Sequence, residues 1–272
     1  EPWITAILGH ERGIFAPGVR NRRIAYQAAH HLLLSHALAL QAIRDTGCKA
    51  QLGIVLNMSP VSAATDSEID AFHARREDGR LIRWFMDPLF KGTYPSDMLE
   101  YLGRDAPEVE PGDMQLIARP FDFLGINYYH PTNSSSANPT APASDGASVT
   151  DMGWEVAPRS LTQLLLRLRR DYAIPALLIT ENGAAYRDQI IDGHIDDEDR
   201  RHYIESHLAA CADAIGHGVP LKGYFVWSLL DNFEWAEGYR KRFGIVHVDY
   251  ATQQRTLKRS ACWYRDFLAA GR

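Results

Sequence analysis

Residues 177–186 read LLITENGAAY. Apolar and β-branched residues run straight into a glutamate, an asparagine and a glycine. Strands of four to eight such residues, bounded by a turn signal, are buried on both faces. Glu181 therefore ends a strand whose surroundings disfavour charge. Three more segments share the pattern: QLGIVLN at 51–57, FDFLGINYY at 121–129 and LKGYFVWSLLDN at 221–232. Polar and aromatic groups gather at the same end of all four: Asn57, then Asn127-Tyr128-Tyr129, then Glu181-Asn182, then Trp227-Ser228.

Helical patterns separate the strands. RNRRIAYQAAHHLLLSHALALQAIRDTG places Ile24, Ala28, Leu32, Ser35, Ala39 and Ala42 on one stripe, puts His31 on or near it, and offers Gly47 as a stop. Residues 66–85 read as helical. PRSLTQLLLRLRRDY aligns Leu161, Leu164, Leu165 and Leu168. DDEDRRHYIESHLAACADAIGHG opens with acidic residues that suit a helix N-terminus, and RSACWYRDFLAA gives a terminal helix. Strands joined by helices run parallel. Two architectures fit, a doubly wound sheet and a (β/α)8 barrel. No glycine-rich phosphate loop follows any strand, which weighs against the first. In a barrel, chemistry sits at the C-terminal strand ends.

The 272 residues carry 29 basic and 34 acidic side chains, a net charge of −5. That balance argues against nucleic acid or an anionic membrane as partner. No apolar run approaches the roughly 20 residues that span a bilayer. Cys48, Cys211 and Cys262 lie far apart and have no metal-ligand spacing, which suits a reducing compartment and a cytoplasmic location. Residues 131–151 read as an exposed loop within one domain spanning 1–272, with no internal boundary.

Ordered blocks along the whole chain resemble glycoside hydrolase family 1, the retaining β-glucosidases and β-galactosidases. They are EPW at the start, FAPGVRN, AYQAAHHLLLSHA, FDFLGINYY, MGWEVAP, ITENGAA, GYFVWSLLDNFEWAEGYRKRFGIVHVDY and RTLKRSACWY. The resemblance implies an α/β TIM barrel of which this chain supplies roughly strands 5–8 and their helices. In the family an Asn-Glu-Pro triplet ends strand 4, and Glu1-Pro2 matches its last two members. An upstream half-barrel, in the same or a separate chain, is therefore an expected partner. Alone, the fragment is expected to be poorly soluble, self-paired or inactive.

The resemblance further implies a glutamate nucleophile at Glu181 and a glutamate acid/base at Glu1. Tyr129 matches a tyrosine bonded to the nucleophile and Asn127 a polar residue near the acid/base. Glu234 and Trp235 match a pair that holds the sugar, with Trp227 as floor, Phe243 as wall and Trp154 on the leaving-group side. The implied substrate is an unphosphorylated β-glucoside or short β-linked oligosaccharide, with β-galactosides and β-fucosides as alternatives and cellulose degradation as a setting. An anionic Glu234 would repel a 6-phosphate. No metal and no cofactor are implied, because two carboxylates and water suffice. The alternative is a non-catalytic half-barrel that serves interaction or binding. Each residue also has a structural explanation: Glu181 as a strand-end helix cap, Glu1 as a solvated terminus, the tryptophans as core.

Overall fold

The computed structural model describes residues 1–136 and 147–271. Four strands form one sheet: β1 (Gly53–Asn57), β2 (Phe123–Asn127), β3 (Leu177–Asn182) and β4 (Leu221–Val226). All neighbours are parallel, in the order β1-β2-β3-β4. A doubly wound sheet reverses its strand order at a switch point, whereas a barrel keeps chain order around its wall. The unreversed order is that of a barrel arc, so the chain forms part of a TIM barrel. Its outer strands β1 and β4 each have one partner in the sheet among the described residues.

Helices cover the sheet. α1 (Arg22–Asp45) starts where the Asn21 side chain accepts the Ile24 N–H, and Gly47 follows it at φ 78°. α2 (Pro158–Asp171) opens on a proline whose missing N–H costs a first turn nothing. Its leucines at 161, 164, 165 and 168 are buried, facing Leu124, Ile126, Leu177 and Ile179 in the same core. Emptying one such site to alanine costs about 2–5 kcal/mol. α3 (Glu198–Gly216) carries Glu198 and Asp199 in its first turn, and α4 (Arg259–Ala269) closes the fold.

The α1 stripe differs from the sequence reading. The buried face is Ala25, Tyr26, Ala29, His30, Leu33, Ala37 and Leu40, one position on from several of the expected residues. Ile24 is 46% exposed, and His30, not His31, is buried. The reason is that polar partners set the rotation as well as apolar residues. His30 meets the Tyr94 hydroxyl at 2.9 Å and the Asp113 carboxylate at 3.0 Å. The helix expected over 66–85 is Glu68–Asp78, followed by a wider turn over Gly79–Arg83 and a helix Trp84–Lys91. Ile4–Glu11 is helical, and Val246–Val248 pairs antiparallel with Arg255–Leu257; neither was legible as an element.

Of the loop expected over 131–151, residues 137–146 lie outside the described residues. Thr132–Ser134 pairs in parallel with Val61–Ala63, and Ser134 and Thr150 are buried. Among the described residues no helix is long and apolar enough to cross a membrane.

Candidate active site

Parallel strands bring their C-terminal ends to one rim. The strands do not end in simple register there. Ile126 pairs with Ile179 and Asn127 with Glu181, so Thr180 has no partner on β2. An extra residue of this kind turns the following side chain. Thr180 Oγ1 donates to Asn127 Oδ1 at 2.6 Å, which fixes the amide's orientation. Its nitrogen then donates to Glu1 Oε1 at 2.8 Å, and the amide lies near enough to Glu181 to lower that carboxyl's pKa. A carboxylate only accepts, so the donor to Glu1 is the NH2 group. Two acids 180 positions apart in sequence thus come together at one rim of the sheet.

Tyr129 donates its phenol to Glu181 Oε2. Asn182, next in sequence, is fully buried and structural. It donates to the Tyr128 carbonyl at 2.8 Å and accepts from the Tyr224 hydroxyl at 2.6 Å. The glycine of the ENG triplet has a steric cause: a Cβ at Gly183 would lie 1.8 Å from the Trp227 carbonyl oxygen. Close approach there joins the end of β3 to Trp227, whose N–H donates to the Asn182 carbonyl at 3.0 Å.

Glu234 and Trp235 sit on the loop that follows Trp227. Asp231 fastens that loop from beneath: it accepts the Gly244 N–H at 3.0 Å and the Val248 N–H at 3.3 Å, and pairs with Lys258 at 2.9 Å. The turn itself closes through Glu234 N–H to the Gly238 carbonyl at 2.7 Å, with Trp235 at φ 40°.

A cavity of about 600 Å³ opens between these groups. Of the nine residues expected at the site, Glu1, Tyr129, Trp154, Glu181, Trp227, Glu234, Trp235 and Phe243 line it. Asn127 stands behind them, against Glu1. Tyr129, Trp154 and Phe243 form one aromatic wall, with centroid separations of 5.5, 6.0 and 6.1 Å. Trp3, Arg12, Asn57 and His130 line the cavity too and had no assigned role. Trp3 and Asn57 carried a signal, adjacency to Glu1 and a strand end; Arg12 carried none.

Burial raises the Glu181 carboxyl above its usual pKa, the Tyr129 hydrogen bond pulls it down, and the Glu1 charge adds to the rise. A phenol donor favours the carboxylate, but desolvation outweighs it. Glu234 is pushed up to about 6 by burial, against a bond from Trp227 and with the charges of Glu181 and Glu1 behind it. Tyr129 lies well above its usual value, from burial and then from Glu181.

The chain is similar to known proteins over its whole length. It is 44% identical to a beta-glucosidase of Agrobacterium sp. over 279 residues, covering 100% of this chain and 61% of that protein. It is 42% identical to beta-glucosidase A of Thermotoga maritima, covering 97% and 60%. The crystal structure of a beta-glucosidase from Exiguobacterium marinum superposes with a TM-score of 0.95 at 41% identity, covering 100% of this chain and 64% of that one. The chain thus spans about three-fifths of the length of these relatives. The profile of Glycosyl hydrolase family 1 matches residues 1–271. On these grounds the chain belongs to glycosyl hydrolase family 1.

Proposed function

We propose that this chain carries the reacting carboxylates and much of the sugar site of a retaining β-glycosidase acting on unphosphorylated β-glucosides. The observation that carries this reading is that Glu1 and Glu181 line one cavity, with Asn127, the register partner of Glu181, donating to Glu1. The two acids are close enough for the charge of Glu1 to raise the Glu181 pKa, the proximity that a direct displacement needs. Retaining enzymes need about 5–5.5 Å, while inverting ones need room for a water and roughly 6.5–9.5 Å.

In this reading Glu181 attacks the anomeric carbon and forms a glycosyl ester. Glu1 gives its proton to the leaving oxygen, then takes one from the water that hydrolyses the ester. Tyr129 and Asn127 hold Glu181 with neutral donors, so its charge can vanish on ester formation without stranding a cation. Glu234 accepts sugar hydroxyls, and Trp227 and Trp235 offer ring faces to the C–H side of the sugar. Trp154 stands toward the leaving group. A carboxylate at 234 favours neutral glycones over 6-phosphorylated ones. Short β-linked glucans, and with them cellulose breakdown, fit a cavity of this size; galactosides and fucosides are alternative glycones.

A complete barrel has eight strands. The unpaired outer edges of β1 and β4, and Phe225 at 57% exposure on β4, support completion by further strands in the same or a second polypeptide. Cys48, Cys211 and Cys262 are all unpaired thiols, which supports a reducing, cytoplasmic location. A purely interacting half-barrel leaves three mutually repelling carboxylates around one cavity without a reason to be there.

The test is covalent. A 2-deoxy-2-fluoro-β-glucoside with an activated leaving group slows ester hydrolysis, so the protein purified with its barrel completed gains the mass of one glycosyl unit. Peptide mapping is expected to place it on Glu181, and NMR of the first product from an ordinary substrate to show the β-anomer. A label on another residue, or an α-anomer formed first, overturns the assignment.

A further inference from the structure

The cavity has an outer arm that the reaction above leaves unused. Trp3 follows Glu1 by two residues and lines the same cavity, which in the glycosidase reading assigns its ring to the acid's side, that of the leaving group. The Arg12 guanidinium lies over that ring, 5.8 Å from its centroid. Both residues line the cavity. A cation–π contact draws on the charge of the guanidinium and uses none of its N–H groups as hydrogen-bond donors to oxygen.

Those donors have no acceptor among the described residues: the Arg12 guanidinium makes no hydrogen bond or ion pair there, its backbone N–H alone donating, to the Ile7 carbonyl at 2.8 Å. The nearby carboxylates are taken by a different guanidinium. Arg80 pairs with Glu11 at 2.8 Å and with Glu77 at 3.2 Å. Solvent reaches Arg12, yet enough protein packs round it that desolvation, followed by the charge of Arg80, lowers its pKa against the smaller opposing pull of Glu11 and Glu77. A cation in this state gains most from an acceptor that brings negative charge and a bidentate edge. Arg12 is also the one arginine or lysine among the residues lining the cavity.

We infer that the leaving-group side of this cavity accepts β-glycosides whose aglycone bears a carboxylate, and that Arg12 receives it. The proposal rests on the glycosidase reading, since that reading defines the leaving-group side. Two further features favour an aromatic acid. Trp154 and His130 stack at 4.9 Å and 27° and offer a flat wall in the same cavity. His130 turns one ring nitrogen to the Pro131 carbonyl at 2.7 Å, and burial lowers its pKa, so it supplies no competing cation. A neutral sugar hydroxyl would meet one donor of Arg12 and leave its charge unanswered. Glu1, Glu181 and Glu234 repel an anion at the inner end; of the other carboxylates lining the cavity, Glu77 and Glu237 are paired with Arg80 and Arg240, and Glu155 stands beside His130, so Arg12 is the group that admits charge on the aglycone.

The experiment uses two substrates of the same shape, 4-carboxyphenyl and 4-carbamoylphenyl β-glucoside, and compares their ratio between the unaltered protein and the variants, which cancels the difference in leaving-group ability. For the unaltered protein the expected kcat/KM for the acid exceeds that for the amide by about tenfold, as one charge-assisted bidentate contact provides. Arg12→Gln removes that preference through KM for the acid, with hydrolysis of the amide unchanged. Arg12→Lys retains part of it. The same acid-to-amide ratio in the unaltered protein and in Arg12→Gln overturns the proposal. If neither compound is hydrolysed by the protein with its barrel completed, the glycosidase reading fails separately. Titration calorimetry of the two compounds then decides: a loss of affinity in Arg12→Gln confined to the acid upholds the Arg12 site, and equal affinities overturn it.

Discussion

Two groups of three carboxylates in this molecule are treated oppositely. Asp188, Asp197 and Asp231, with side chains at most 1% exposed, are each matched by a cation. Arg200 bridges Asp188 and Asp197, Lys258 bridges Asp188 at 2.6 Å and Asp231 at 2.9 Å, and Arg242 closes the set on Asp231. Glu1, Glu181 and Glu234 share a cavity and are met by an amide, a phenol and an indole. The pKa directions follow. Burial pushes Asp231 up, but Lys258 and Arg242 bring it below its usual range. Burial pushes Glu181 and Glu234 up, and no cation reverses the result. A charge that must stay is paired with an opposite charge; a charge that must come and go is held by neutral donors.

The largest expected effect breaks the second group. Glu181→Gly is expected to lower kcat by at least about 10⁴-fold, as loss of a covalent nucleophile does. That corresponds to roughly 5.5 kcal/mol on the barrier. Added azide then fills the space and yields an α-glycosyl azide, visible by NMR. Unfolding temperature is expected to hold or rise, because one of three repelling charges has gone. Turnover near the unaltered rate would remove Glu181 from the nucleophile's place.

Breaking the first group should do the reverse. Asp231→Asn keeps the shape and leaves Lys258 and Arg242 facing a neutral amide in a buried setting. Such uncompensated charge costs about 3–5 kcal/mol. In a domain of this size that lowers Tm by roughly 10 °C, measured by thermal unfolding at pH 7. Glycosyl transfer to Glu181 in the folded fraction is expected to persist, with KM raised through the loosened Glu234–Trp235 loop. An unchanged Tm would mean that the ion pairs do not hold the loop.

The two groups were not equally legible in the sequence. Strand-end residues announced themselves, because a polar side chain at the end of an apolar run has few structural uses. Glu181, Asn127 and Trp227 stood out for that reason, and ordered blocks matching a family added Tyr129, Trp154, Glu234, Trp235 and Phe243. The parallel arc was legible from alternating strands and helices. Asp231, Lys258 and Arg200 were not, because ordinary surface chains contain the same residue types at the same frequency and only tertiary contact makes them partners. The rotation of α1 was missed because His30 is buried through Tyr94 and Asp113, two residues remote in sequence. The unopposed Thr180 that turns Glu181 is likewise a property of the strand pair, not of either strand.

The smallest expected effect tests whether the site is held against its own repulsion. Glu234 titrates at about 6 in the folded chain against an ordinary value of 4.5. The folded carboxyl thus holds its proton more tightly than the unfolded one, and ionising it weakens the fold. That cost is complete above pH 6, fades as the pH falls toward 4.5, and is absent below. Glu234→Gln keeps an acceptor for Trp227 and removes the charge. It should therefore stabilise the fold by about 1–2 kcal/mol at pH 7 and by nothing at pH 4, while weakening sugar binding. Thermal unfolding of both proteins at the two pH values reads this directly. A glutamine variant less stable at pH 7 would show that Glu234 gains from its surroundings as Asp231 does, and the contrast between the two groups would vanish.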